Sequence, residues 1–384
     1  MRWIATTLCA SCGAALLVAA RALDGRWFER HVLLPWYYPW APSWVSDTRI
    51  AAATCGVILL ALAWPLGRGA ARSTFAGWLR ILLAVVLGLA TSEVVLRLKE
   101  HGTTYWRSLK LEFRFGREEP RFGWVLLPSR TTVLGPKERH TSYAIDAWGD
   151  RAASDARAPD PELPSLVVSG ESIAVGHGVP YEQTFAAQMG EDLGLQVVNV
   201  ACGGYGSDQA YLRLDAALAR LKHPAAVVST FVPVMLSRNV QDYRPRLVLR
   251  GGALELVPPA RGFLARFRLR DLFVNELPYI SEADLRDSME LTAAVVRETA
   301  RTARAHGAEP VFAVFSIGAD RALDDHAEAS IVRALFVEQR LPFAIIDVHS
   351  EELIVGDGHP GPAAHRRIAN VLDAVLRARL SHAQ

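Results

Sequence analysis

Leu166-Val-Val-Ser-Gly-Glu-Ser-Ile-Ala-Val-Gly-His-Gly178 decides how the rest of the chain is read. A short apolar run ends abruptly in Gly170-Glu171-Ser172, so a serine stands at the tip of a strand with glycines before and after it. Glycine lets the backbone turn sharply there, and the N–H groups of the next turn can face an oxyanion. That geometry suits acyl transfer. The same letters also describe a strand-to-helix loop whose serine caps the helix around Thr184 to Leu193, and only residues far downstream separate the two readings.

Outward from this point, short apolar runs alternate with helix-length segments, the pattern of an α/β fold with a parallel sheet. Strands are expected at Leu166 to Val168, Gln196 to Val200, Ala226 to Phe231, Pro310 to Phe315 and Phe343 to Asp347. Helices are expected at Thr184 to Leu193, Ser207 to Lys222, Glu282 to His306, Leu323 to Gln339 and Pro362 to Leu380. Ser207 and Ser281 suit N-caps, Gly307 suits a helix stop, and Val240 to Ala260 reads as an insertion. In such sheets the active residues gather beyond the carboxyl ends of the strands, where Ser172 lies.

Two further segments fall at strand ends. Asn199-Val-Ala-Cys-Gly-Gly-Tyr-Gly-Ser-Asp-Gln209 is a glycine-rich turn whose N–H groups can stabilise an anion beside Ser172, and it matches neither a phosphate loop nor a dinucleotide fingerprint. Gly356-Asp-Gly-His-Pro360 follows the last strand. His359 there can accept the serine proton, and Asp357 can hold its ring and stabilise the imidazolium. His177, His349 and His365 are weaker candidates for the base, and Asp347 is a reserve for the carboxylate.

In this order of blocks the chain resembles the SGNH, or GDSL-like, hydrolase family. The likeness is carried by Gly170-Glu-Ser172 with Gly176-x-Gly-Val and Glu182-x-Thr184 behind it, by Asn199 to Gln209, and by Asp357-Gly-His359. Trp148-Gly-Asp-Arg151 is similar to a Gly-x-Arg element upstream of the serine in membrane-linked members. The resemblance implies a three-layer α/β/α sandwich of flavodoxin type, with Ser172 as nucleophile, His359 as base and Asp357 orienting it. It implies oxyanion donors at the Ser172 and Gly204 N–H groups, metal-free and cofactor-free cleavage of esters, and a lipid or acylated carbohydrate as substrate. Three departures stand out. Where the family has Gly-x-Asn-Asp, this chain reads Val232-Pro-Val-Met-Leu-Ser-Arg-Asn239, with Met235 in place of the asparagine that supplies the third oxyanion donor. Asn239, one helical turn further on, is the nearest replacement, and Arg238 is a cation in reach of the same place. The aspartate stands two residues before the histidine rather than three, and glutamate replaces aspartate before Ser172 in a role read as structural.

The first hundred residues have another character. Within 384 residues, 51% hydrophobic, the excess lies in Trp3 to Ala20, Ile50 to Leu66 and Phe75 to Leu98, the last interrupted by Arg80 and Glu93. They read as about three membrane spans, with Glu93 either near the headgroups or paired with another helix. The first span alternatively serves as a signal peptide cut near Ala20-Arg-Ala22. Leu34 to Trp44, rich in aromatics and proline, suits a loop at the membrane interface. Arg68, Arg72 and Arg80 place the second loop in the cytoplasm and the soluble part outside it, against the opposing vote of Arg21, Arg26, Arg30, Arg97, Lys99 and Arg107. The expected organisation is a membrane region at 1–100, a connector at 101–164 and the hydrolase-like domain at 165–384. A net charge of +2 gives no reason to expect nucleic acid, and Cys9, Cys12, Cys55 and Cys202 form neither a disulfide framework nor a metal-ligand spacing.

Two functional readings follow. One is a membrane-anchored serine esterase or acyl-transfer enzyme. The other is a catalytically degraded domain that binds a glycan or a partner protein in the inherited cleft, which the methionine at position 235 favours. A transporter is poorly supported, because three spans with a single acidic residue offer little for a pathway.

Overall fold

The apolar start of the chain forms helices: α1 (Arg2–Ala22), α2 (Gly25–His31), α3 (Ala41–Arg72) and α4 (Phe75–Lys99). The computed structural model describes residues 2–31, 41–72, 75–99, 116–134, 140–260, 263, 267–271, 279–317 and 326–382. Most of the aromatic stretch from Leu34 therefore lies outside the described residues. α1 and α3 cross at Gly13 and Gly56, where a Cβ on either would lie 2.9 Å from the carbonyl oxygen of the other. Two bare backbones can meet there as no larger residues could. Val45–Gly69 and Gly77–Arg97 are long and apolar enough to cross a membrane, while the apolar part of α1, Thr6–Ala22, is shorter. Of the expected three spans, two thus have the length. Glu93 is paired: it accepts the N–H groups of Arg268 (3.0 Å) and Leu269 (2.9 Å) and a hydrogen bond from Arg97 Nε (2.6 Å). A second tie joins Ile280 N–H to His31 O at 2.7 Å, with Trp27 stacked on Tyr279.

Beyond the helices come the hairpin β1 (Gly116–Glu119) and β2 (Gly123–Leu126), then β3 (Arg130–Leu134), β4 (Thr141–Ile145) and β5 (Arg151–Ala152). The alternating part follows as β6 (Ser165–Ser169), α5 (Ser172–Val175), α6 (Phe185–Leu193), β7 (Gln196–Asn199), α7 (Ser207–Leu218), β8 (Pro224–Phe231) and α8 (Val234–Asn239). Val240 to Ala260 holds a separate hairpin, β9 (Arg246–Arg250) and β10 (Ala253–Val257), turned at Gly251-Gly252. The short α9 (Arg268–Asp271) leads to α10 (Glu282–Ala305), β11 (Glu309–Ile317), α11 (His326–Val332) with a wider turn at Arg333–Val337, β12 (Phe343–Val348) and α12 (Pro362–His382). The expected start of the α11 segment at Leu323 lies outside the described residues.

Among the described residues the central sheet has eight strands in the order β12-β11-β8-β6-β7-β5-β4-β3. β6, β7, β8, β11 and β12 run parallel, as the alternation predicts. The parallel sheet is extended beyond the expected strands, because β5, β4 and β3 continue it antiparallel from β7. The stretch 101–164, read as a connector, accordingly contributes three strands to the sheet. Every residue of β6 is buried, since helices cover both faces. Val167 packs with Val198, Leu214, Leu218 and Val227 on the α7 side, while Leu166 and Val168 join Phe185, Met189, Ile368 and Leu372 on the α6 and α12 side. The result is a three-layer α/β/α arrangement. Thr184 caps α6 through its hydroxyl, and Ser281 caps α10. Ser207 does not cap α7; Gly206 holds that position and its N–H donates to the Gln209 side chain (3.2 Å).

Candidate active site

The serine turn is built by a close approach. At the end of β6 the chain turns at Gly170, φ 152°, where a Cβ would lie 1.8 Å from Thr230 Oγ1 on the neighbouring β8. Only glycine fits. Glu171 then caps α5, its Oε1 accepting the Ile173 N–H at 3.1 Å, and Ser172 opens the helix just beyond the strand.

The histidine comes from the loop between β12 and α12. Ile354 N–H donates to His359 O (2.8 Å), and Leu353 bridges to Pro360, so the intervening residues form a closed loop that aims its side chains back at the serine. His359 Nε2 lies 2.8 Å from Ser172 Oγ and His359 Nδ1 lies 2.5 Å from Asp357 Oδ1. The order hydroxyl, imidazole, carboxylate is the one in which a neutral ring accepts a hydroxyl proton and the carboxylate stabilises the imidazolium. The second carboxylate oxygen of Asp357 lies 3.1 Å from His177 Nε2, and the two imidazole rings are 4.3 Å apart. Burial alone would raise the Asp357 pKa; hydrogen bonds from His177 and His359 outweigh it and hold the carboxyl well below the usual range.

Ser172 has a second acceptor. Its Oγ lies 2.6 Å from Glu171 Oε2. Its single proton therefore has two possible homes, and the glutamate is not only a helix cap.

His177 lies in the loop after α5, and that loop is held by the antiparallel strands. Thr141 Oγ1 on β4 donates to Gly178 O (3.2 Å), and Gly178 N–H donates to the Tyr143 hydroxyl (2.6 Å). Arg151 on β5 donates to Val179 O (3.1 Å) and Ser142 O (3.2 Å) with its guanidinium 3.8 Å from the centre of the Tyr143 ring. Burial pushes the Arg151 pKa down to about 10, with the side chain still a cation at neutral pH. Neither Thr141 nor Tyr143 carries a signal in the sequence that would mark it; Arg151 is marked by the Trp148-Gly-Asp-Arg element but its task is not.

The other sequence candidates divide. Gly204 lies in the turn after β7 at φ 73°, and Cys202 N–H donates to Gly170 O (3.2 Å), so this turn runs alongside the serine turn. Asn239 is fully buried and spends its amide on Ser207 Oγ (2.7 Å) and Thr292 Oγ1 (2.8 Å), between α7 and α10. Its NH2 is therefore not directed at Ser172. Met235 packs in the hydrophobic core, and Arg238 donates to Tyr205 O (3.1 Å). Asp347 is exposed on β12, and the backbone of His349 leads into the turn Ser350–Glu352; neither joins the His359 cluster. His365 is buried on α12, where its Nδ1 accepts the Phe185 N–H (3.1 Å), and burial pushes its pKa down to about 3. Among the described residues, His177, Asp357 and His359 also offer three metal-type ligand atoms within 4.8 Å of one another.

No family model matches the chain, and no curated protein matches it. Among solved structures, a member of the lipolytic protein G-D-S-L family from Veillonella parvula is similar at 11% identity over 54% of this chain and 94% of its own, with a TM-score of 0.32. The acetyl xylan esterase Est2A from Butyrivibrio proteoclasticus is 14% identical over 59% of this chain and 66% of its own, TM-score 0.35. A family two carbohydrate esterase from Cellvibrio japonicus is 14% identical over 62% and 66%, TM-score 0.35. Likeness at this level transfers no chemistry, which rests on the side chains above.

Proposed function

We propose that the chain is a membrane-anchored serine esterase of the SGNH, or GDSL-like, type, which cleaves or transfers the acyl group of an acylated carbohydrate or a lipid ester outside the cytoplasmic membrane. The observation that carries this reading is the hydrogen-bonded path from Ser172 Oγ through His359 to Asp357. Ser172 attacks the ester carbonyl as His359 Nε2 takes its proton. Asp357, kept ionised by two imidazoles, stabilises the resulting imidazolium. The N–H groups of Ser172 and Gly204 receive the oxyanion, His359 returns the proton to the leaving alcohol, and the acyl-enzyme passes its acyl group to water or to a sugar hydroxyl. Membrane anchoring is supported by the two helices of sufficient length and by the outward-facing Leu82, Leu83, Val86 and Leu89 of α4.

With Met235 in the core and Asn239 engaged elsewhere, a two-donor oxyanion hole gives up about 2.7–4 kcal/mol, a factor of roughly 10² to 10³ in rate, relative to a three-donor one. The same observation favours the second reading, a degraded domain that binds a glycan or partner in the cleft. A fluorophosphonate probe separates the two. An esterase is labelled at Ser172, and Ser172→Ala loses both the label and turnover of an aryl acetate while its melting curve is unchanged. A folded chain that takes no label, or a Ser172→Ala variant as active as its parent, overturns the esterase.

A further inference from the structure

We propose that His177, Asp357 and His359 form a site for a divalent cation of the zinc class, and that its occupancy switches off the serine. The inhibitory half rests on the esterase reading; the binding half does not. Two imidazoles and one carboxylate, with the fourth position open, are a donor set that zinc accepts. The three ligand atoms lie within 4.8 Å of one another. Around a tetrahedral zinc with bonds of about 2.0–2.2 Å, donor atoms stand roughly 3.3 Å apart, and His177 Nε2 and Asp357 Oδ2 are already 3.1 Å apart. What holds the trio together at present is one shared proton on each side of the carboxylate. A cation in their place meets lone pairs from the same three side chains. Solvent reaches it, since the side chains of His177, His359 and Asp357 are 17%, 15% and 34% exposed.

The far side of His359 is the second observation. Metal on Nδ1 moves the single proton of the neutral His359 ring to Nε2, and metal on His177 Nε2 likewise moves that ring's proton to Nδ1, so no proton is gained or lost overall. The new Nε2–H needs an acceptor and finds Ser172 Oγ at 2.8 Å. The serine proton then needs an acceptor other than His359, and Glu171 Oε2 stands 2.6 Å away. The His359 Nε2–H and the Ser172 hydroxyl both keep an acceptor with the metal in place. In that state His359 has no lone pair for the serine proton, and attack stops. The hydroxyl contact of Glu171, which the helix cap does not require, acquires a purpose.

The test uses the full chain in detergent, stripped with EDTA and titrated with zinc chloride by calorimetry while aryl acetate turnover is followed in parallel. Zinc affinity falls about tenfold or more in His177→Ala and in His177→Gln. Turnover of the parent is inhibited by zinc and restored by EDTA, with the inhibiting concentration raised about tenfold or more in His177→Gln. Melting curves confirm that the variants are folded. Parent-like zinc affinity in folded His177→Gln and Asp357→Asn overturns the site, and zinc bound by the trio without inhibition of an active enzyme overturns the switch. A parent that hydrolyses nothing sinks the esterase reading and leaves the calorimetry to decide the site.

Discussion

The parallel and antiparallel halves of the sheet hold the candidate site by different means. In the parallel half, β6 ends at the serine turn and β12 leads into the loop of Asp357 and His359, so the side chains arrive where the backbone ends. The antiparallel half delivers none of Ser172, Asp357 and His359. It acts through Thr141, Tyr143 and Arg151, whose side chains hold the Gly178–Val179 backbone and with it His177. Positioning by topology is unforgiving of backbone change. Positioning by side-chain hydrogen bonds is graded, because each bond can be lost separately.

The comparison predicts the largest effect at Gly170. In Gly170→Ala, overpacking against Thr230 and a φ of 152° that an L side chain rarely adopts together cost roughly 2–6 kcal/mol. Urea unfolding reads this directly. A variant as stable as its parent would remove the close approach to β8 as the reason for the turn.

Arg151→Met tests the other half and is expected to cost less, about 2–3 kcal/mol. It loses two carbonyl hydrogen bonds and the stacking on Tyr143, but it also relieves the buried Nε and Nη1 atoms, which lack partners. Arg151→Lys does not restore it, because an ammonium cannot serve two carbonyls from a flat fork lying on a ring. Should turnover of an aryl acetate survive Arg151→Met undiminished, the antiparallel half plays no part in the site.

These halves differ also in how far the amino-acid sequence reveals them. β6 and β11 are covered on both faces, so their residues form continuous apolar runs that stand out from the helices between them. Ser172, Asp357 and His359 are legible because each stands in a turn beyond such a run. β3 has three exposed residues in five, and β5 is two residues long, so neither offers a period to detect. His177 sits close to the serine in sequence, yet its partner Asp357 is 180 positions away, and that meeting depends on how the two loops are held. Asn239 is the reverse case. Its position suggests a third oxyanion donor, but Ser207 and Thr292 claim its amide, and Thr292 belongs to a helix 53 residues later.

A pH dependence bears on the helix that follows the histidine loop. His365 is neutral in the folded protein, with a pKa near 3, while the unfolded chain takes up a proton below 6.5. The unfolded state binds more protons between these values, so stability is greatest above pH 6.5 and falls on acidification. From pH 6.5 to 5 the loss is roughly 1.5 kcal/mol. His365→Gln, which keeps an acceptor for the Phe185 N–H, should flatten the fall of melting temperature over that interval. An equally steep fall in the variant would assign the acid sensitivity to another group.

Tyr143→Phe is expected to have the smallest effect. The ring remains under Arg151, and the acceptor of the Gly178 N–H is removed. Such a bond contributes about 1 kcal/mol to stability. If the antiparallel half matters only by holding the His177 loop, the loss appears in that loop rather than in the sheet. Amide exchange at Gly178 and Val179 then quickens about fivefold, the rate equivalent of that energy, while exchange in β6 and β11 is unchanged. Uniform quickening across the sheet would instead make Tyr143 an ordinary core residue. The two halves would then differ in strand direction alone.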